Sequence, residues 1–210
     1  MHHAIEREDY TKSGFSLRET DTVIDIGANI GAFSICAAKR VPRGRVIAFE
    51  PENDNYELLI RNATLNRLSN LTPVRAAVAG RSGVINLYRG KESGLHSTTG
   101  GHLADCIGNE DVEAVSLEDV FKRYQIHECQ VLKLNCEGAE YEILYSTPDF
   151  VLAKIQRIAM EYHATENKRQ KANELVDYLC KHKFEVVEYT DYIDHDCGFL
   201  CVKRVADVNT

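Results

Sequence analysis

The stretch "VIDIGANIGAFSICAA" (residues 23–38) decides the reading of this chain. A run of buried-type residues ends at Asp25 and Ile26, breaks into a turn carrying Gly27 and Gly31, and restarts as a small-residue helix. Thr22–Ile26 reads as a strand covered on both faces. Ala32–Arg40 reads as a helix, ended by Pro42 and Gly44. Arg45–Phe49 is a second buried strand, followed by a helix over Glu52–Asn66 with Tyr56, Leu59, Ile60 and Ala63 on one face.

The same alternation runs to the end of the chain. Leu71–Ala79 is expected to be one strand, turned by Gly80–Gly83 into a hairpin with Val84–Tyr88. Gly90–Asp111 carries several glycines and little periodicity, and reads as either an active-site lid or a surface loop. Val112–Val115 is a short strand, and Ser116 with Asp119 opens a helix over 117–124 as a capping pair. Gln130–Asn135 and Ile155–Tyr162 are buried strands, with a turn at Cys136–Gly138 and a helix from Ala139 after the first. The helix Glu166–His182 places Ala172, Leu175, Val176 and Leu179 on one face, and Phe184–Tyr189 and Phe199–Lys203 close the fold as an antiparallel pair. The expected fold is a doubly wound α/β sandwich, with a polar lead-in at 1–21 and a single domain at 22–205.

Bulk properties narrow the function classes. A net charge of −7 argues against a general binder of nucleic-acid backbone. No apolar run is long enough to span a bilayer, and Met1-His2-His3 leads directly into Glu6-Arg7-Glu8-Asp9 rather than into a signal-peptide core. Seven cysteines form no C-x-x-C pair, which suits reduced thiols and a cytoplasmic location. A zinc site from Cys197, Cys201 and His195 lacks the usual paired spacing and is not expected.

In doubly wound sheets ligands sit beyond the carboxyl ends of the strands, where the chain order reverses. Gly27 and Gly31 withhold side chains from the turn, so the backbone can approach a ligand closely. Asp25 can accept hydrogen bonds from the loop or from a ligand ammonium. Glu50 ends the next strand 19 residues after Gly31, where a carboxylate can grip the two hydroxyls of a ribose. Gly27-Ala28-Asn29-Ile30-Gly31 lacks the middle glycine of a dinucleotide turn, and Asn29 can offer its amide to an amino-acid tail. An adenosine-bearing ligand is expected against this turn.

Four segments, "DTVIDIGANIGAFSI", "VIAFEPENDNYELL", "VSLEDVF" and "VLKLNCEGAEYEIL", occur in order. With them the chain resembles the S-adenosylmethionine-dependent methyltransferases of the FkbM family over roughly residues 14–203. The segment "LKLNCEGAE" stands for that family's K-I-D-x-E-G-A-E. The resemblance implies a class I, Rossmann-like sheet of seven strands, mostly parallel with the last strand antiparallel, and helices on both faces. It implies S-adenosyl-L-methionine as cofactor and S-adenosyl-L-homocysteine as product. Asp25, Gly27, Ala28, Asn29 and Gly31 would hold the methionine end, Glu50 the ribose with Pro51 shaping the next turn, and Ala76–Ala77 would border the adenine. Asn135, Glu137 and Gly138 would face the methyl group or acceptor, and Glu161 and His163 would line the same cleft.

For a hydroxyl acceptor the protein must supply a base, and His163 is expected to serve. Glu137 is either a second base or a stabiliser of its own turn. Asn135 replaces an aspartate common in the family. An amide binds a hard divalent ion poorly, so metal-independent transfer is expected. The implied partner is a small-molecule or saccharide acceptor, such as a glycolipid precursor, with no nucleic acid and no membrane insertion; a homodimer is left open. The competing readings are a non-catalytic cofactor-binding module and a nicotinamide-dependent oxidoreductase on a similar sheet.

Overall fold

The computed structural model describes residues 16–90, 106–163, 168–192 and 197–206. Among these described residues, ten strands and six helices follow in chain order. They are β1 (Thr22–Ile26), α1 (Ala32–Arg40), β2 (Arg45–Phe49), α2 (Asn53–Leu65), β3 (Leu71–Val74), β4 (Ala77–Ala79), β5 (Gly83–Gly90) and β6 (Cys106–Ser116). The remainder are α3 (Leu117–Arg123), β7 (Val131–Leu134), α4 (Glu140–Ser146), α5 (Asp149–Leu152), β8 (Arg157–His163), α6 (Lys168–Lys181), β9 (Phe184–Asp191) and β10 (Cys197–Arg204).

Seven strands form the main sheet in the order β3-β2-β1-β7-β8-β10-β9. β10 alone runs against the others, pairing antiparallel with both β8 and β9. The β-branched runs of β1 and β2 alternate between two cores. Val23, Val46 and Ala48 pack with Ala37, Ala38, Leu59 and Ala63 of α1 and α2. Ile24, Ile26, Ile47 and Phe49 face Phe121, Ile143 and Leu144 on the other side, in one cluster with Leu175 and Leu179 of α6. Helices therefore cover both faces, as expected. Pro73 is tolerated because β3 is a sheet edge, where a missing N–H breaks no internal ladder.

The structure corrects the sequence reading in several places. Leu71–Ala79 is not one strand: the chain leaves the main sheet after Val74 and re-enters strand geometry at Ala77 in a second, three-stranded sheet ordered β4-β6-β5. The expected hairpin between 71–79 and 84–88 does not form. β5 pairs antiparallel with β6, and β4 joins the other side of β6 in parallel. Strand β6 begins at Cys106, so 106–111 belong to the sheet and not to the expected loop, whose residues 91–105 lie outside the described ones. On α2, Ile60 lies outside the buried stripe at 37% exposure, while Asn55 joins Leu59 and Ala63 in it.

The described end of the lead-in is anchored. Arg157 donates to the Ser16 carbonyl, Arg43 N–H to the Glu19 carbonyl, and Arg18 N–H to the Asp21 carboxylate. A Cβ on Gly44 would meet the Asp21 carbonyl at 2.1 Å, so this glycine is what lets the lead-in pass. No described helix is long and apolar enough to cross a membrane.

Candidate functional site

The strand order reverses between β1 and β7, and the turns that follow these two strands pack against each other, with Asn135 N–H donating to the Ile26 carbonyl. In the first turn, the N–H groups of Gly27 and Ala28 both donate to the Phe49 carbonyl, at 3.0 and 2.9 Å. Gly27, Asn29 and Gly31 all have positive φ, at 72°, 51° and 88°. Asn29 N–H donates to Glu50 Oε2 at 2.7 Å, and Asn29 Oδ1 accepts from Ile30 N–H. The side-chain oxygen of Asn29 is thus committed to its own turn.

The glycines are bare for a different reason from the one expected. A Cβ on Gly27 would lie 1.8 Å from the Asn135 carbonyl oxygen, and one on Gly31 would lie 2.3 Å from Leu59 Cδ1. Protein atoms, together with left-handed backbone, exclude side chains here.

Asp25 is also corrected. It is wholly buried: Oδ2 accepts from Ser34 Oγ at 2.5 Å and Oδ1 lies 2.8 Å from Lys133 Nζ. Lys133 also donates to the Gly27 carbonyl at 2.8 Å. Asp25 therefore holds the turn from beneath and has no surface left for a ligand. Lys133 and Ser34 were missed in the sequence; they sit across one strand register and one helical turn, which spacing alone does not connect.

At the end of β2, Glu50 is buried, with Oε1 accepting from Glu52 N–H and Oε2 from Asn29 N–H. Burial pushes its carboxyl up to about 7, against the pull of those two amides, with the Glu52 charge adding to the rise and Lys133 opposing it. Glu52, also missed, caps α2 through Asn55 N–H and lies 3.0 Å from the Arg89 guanidinium of β5. Pro51 is half-buried between the two acids, and Ala76 and Ala77 are buried where the chain crosses between sheets.

The second turn follows β7. Glu137 (φ 54°) and Gly138 (φ 104°) again adopt left-handed backbone. The carboxylate that fixes this turn is Glu140, not Glu137: its oxygens accept from Cys136 N–H at 2.8 Å and Gly138 N–H at 2.9 Å. Glu140 Oε1 also lies 3.2 Å from His163 Nδ1. Burial alone would raise Glu140, but the His163 hydrogen bond and charge and the backbone amides hold it below the usual carboxylate range. Burial alone would lower His163, yet Glu140, Glu137 and Glu161 together push it up to about 9. These carboxylates favour the protonated imidazole, which weighs against the expected role of His163 as the base. Glu137 lies 3.6 Å from His163 Nε2, and burial pushes it up to about 7, with His163 opposing. Asn135 Nδ2 donates to Glu161 Oε2 at 3.3 Å, while Asn135 Oδ1 is buried without a hydrogen bond among the described residues. Asn135, Glu137, Glu161 and His163 are thus brought together, as predicted.

Residues 25–199 match the family described as the methyltransferase FkbM domain. The chain is 28% identical to the 31-O-demethyl-FK506 methyltransferase FkbM of Streptomyces tacrolimicus, covering 87% of this chain and 79% of that protein. It is 26% identical to the hexuronic acid methyltransferase AglP of Haloferax volcanii, covering 70% and 57%. It is 28% identical to the AMB antimetabolite synthetase AmbE of Pseudomonas aeruginosa over 85% of this chain, which spans only 10% of that relative's length. The crystal structure of methyltransferase FkbM from Methylobacillus flagellatus matches 95% of this chain and 48% of its own at 15% identity, with a TM-score of 0.64.

Proposed function

The chain belongs to the FkbM methyltransferase family, and on that premise we propose that it moves the methyl group of S-adenosyl-L-methionine onto a hydroxyl of a small molecule or sugar. The observation that carries the reading is the Glu50 carboxylate, buried at the end of β2 and clamped by the amides of Asn29 and Glu52. Each oxygen keeps a second lone pair, so the carboxylate suits two neighbouring ribose hydroxyls. The orphaned Asn135 Oδ1 supplies a second fit: it calls for a donor, which the cofactor's ammonium or the acceptor's hydroxyl would provide.

When bound, the cofactor supplies a methyl carbon activated by a sulfonium. The protein's part is alignment and removal of one proton. Asp25, Ser34 and Lys133 hold the turn rigid beneath the ligand. Glu50 would grip the sugar, and Ala76 and Ala77 would border the base. Glu137 would take the proton of the acceptor hydroxyl as the cofactor's methyl group is transferred to that oxygen and the cofactor leaves as the thioether. His163, fixed by Glu140, positions Glu137 and does not take the proton.

The names of two relatives support an oxygen-bearing acceptor, one acting on 31-O-demethyl-FK506 and one on a hexuronic acid. The test is transfer of labelled methyl from S-adenosyl-L-methionine into a panel of glycosides and small-molecule extracts. Labelled product with wild-type chain, reduced about 100-fold in Glu137→Gln at unchanged cofactor affinity, is expected. Cofactor binding with no transfer to any acceptor would instead make the chain a binding module. Binding of a nicotinamide dinucleotide in its place would overturn the reading.

A further inference from the structure

We propose that Glu161, His163 and Cys197 form a site for a borderline divalent transition-metal ion, zinc above all, at the acceptor end of the cleft. One ligand atom from each of the three lies within 4.8 Å of the others. The placement follows from strand geometry. Glu161 and His163 are two apart on β8 and so project from one face, and Cys197 stands directly opposite His163 in the antiparallel β8–β10 register. Two paired strands, and no loop, carry all three donors.

Two of the three are already held from behind, in the manner that orients metal ligands. Glu140, wholly buried and itself anchored by the amides of Cys136 and Gly138, lies 3.2 Å from His163 Nδ1, so Nε2, now 3.6 Å from Glu137 Oε2, is the nitrogen that would give up its proton and take the ion. Asn135 Nδ2 donates to Glu161 Oε2. Buried carboxylate to histidine, and amide to carboxylate, are the supports such a site needs.

The donor set selects the ion. A thiolate, an imidazole and a carboxylate suit zinc, whereas magnesium and calcium favour oxygen ligands throughout. The proposal departs from the expectation of metal-independent transfer, because its donors on β8 and β10 are softer than the carboxylates that a hard ion needs. Metal–ligand bonds of about 2.0–2.3 Å require the three side chains to draw together slightly on binding. Charge favours this: Glu137, Glu140 and Glu161 surround a single imidazole. Three protein ligands leave a coordination position for water or an acceptor oxygen, as in catalytic zinc sites. That role in methyl transfer rests on the function proposed above, but ion binding itself does not.

The experiment is titration of the full chain, first stripped with a chelator, with cobalt(II) as a spectroscopic probe. One equivalent should bind, giving visible ligand-field bands and a near-ultraviolet thiolate-to-cobalt band, and zinc should displace it. Cys197→Ser should lose the thiolate band with an unchanged circular dichroism spectrum, Cys136→Ser should keep it, and Glu140→Gln should weaken binding by about 10–100-fold. Folded wild-type chain that shows no band at stoichiometric cobalt, or a band that survives Cys197→Ser, overturns the proposal. S-adenosyl-L-homocysteine binding is measured on the same stripped protein. Cofactor binding without cobalt binding removes the metal site alone; cobalt binding without cofactor binding removes the methyltransferase reading alone.

Discussion

The turns after β1 and β7 solve one problem in two ways. Each breaks a buried strand with left-handed residues, Gly27, Asn29 and Gly31 in the first, Glu137 and Gly138 in the second. Each has its backbone amides gathered by a buried carboxylate. In the first turn that carboxylate is Glu50, from the neighbouring strand, and its local partners are amides. In the second it is Glu140, from the helix the turn itself starts, and His163 lies against it. Burial pushes Glu50 up, while the histidine cation and amides hold Glu140 down. An acid with lone pairs to spare and no tight cation is suited to meet a ligand. A fully partnered acid is an anchor. Under the proposed function the first turn is the cofactor end, and the second, anchored by Glu140 beside Glu137 and Glu161, is the acceptor end.

Substitutions that break this comparison should fall in a definite order. Gly27→Ala places a Cβ 1.8 Å from a backbone oxygen that cannot rotate away, at a φ that disfavours any side chain. It should cost about 4 kcal/mol or more in chemical denaturation, or abolish folding. Glu140→Gln removes the charge from a buried pair and should cost about 3 kcal/mol, read in the same assay.

Glu50→Gln should do the opposite. The folded carboxyl titrates near 7, above its ordinary 4.5, so the unfolded chain ionises first and stability falls as pH rises from about 4.5 to about 7. The groups facing it are the Glu52 and Lys133 side chains and the amides of Asn29 and Glu52. Glu50→Gln should flatten that slope and stabilise the fold by up to about 3 kcal/mol at pH 8, followed by thermal melting across pH. Gly31→Ala should be the mildest, about 1–2 kcal/mol, because its clash is with the rotatable end of Leu59. Equal costs for Gly27→Ala and Gly31→Ala would show that backbone conformation, and not the Asn135 contact, dominates the first turn.

Much of this architecture was legible in the sequence because local signals and tertiary demands agree. β1, α1 and β2 lie at their expected bounds, where apolar runs are punctuated by Gly27, Gly31, Pro42 and Gly44. The small sheet was not legible. Ala77–Ala79 continues the apolar run of β3, and only the pairing with β6 far along the chain decides which sheet it joins. The residues of the two turns were legible by position, but their roles were not. Periodicity cannot report that Lys133 reaches Asp25 across a strand pair, that Glu140 takes the anchoring role expected of Glu137, or that three carboxylates surround His163. Those roles come from side chains distant in sequence meeting in a buried, low-dielectric cluster.

Isothermal titration of S-adenosyl-L-homocysteine into wild-type and Glu50→Gln chains at pH 8 tests the central claim most directly. The account predicts one site per wild-type chain, weakened at least about 10-fold in Glu50→Gln even though that variant is the more stable protein. Equal affinity in the two proteins, or no binding to the wild type, would contradict it.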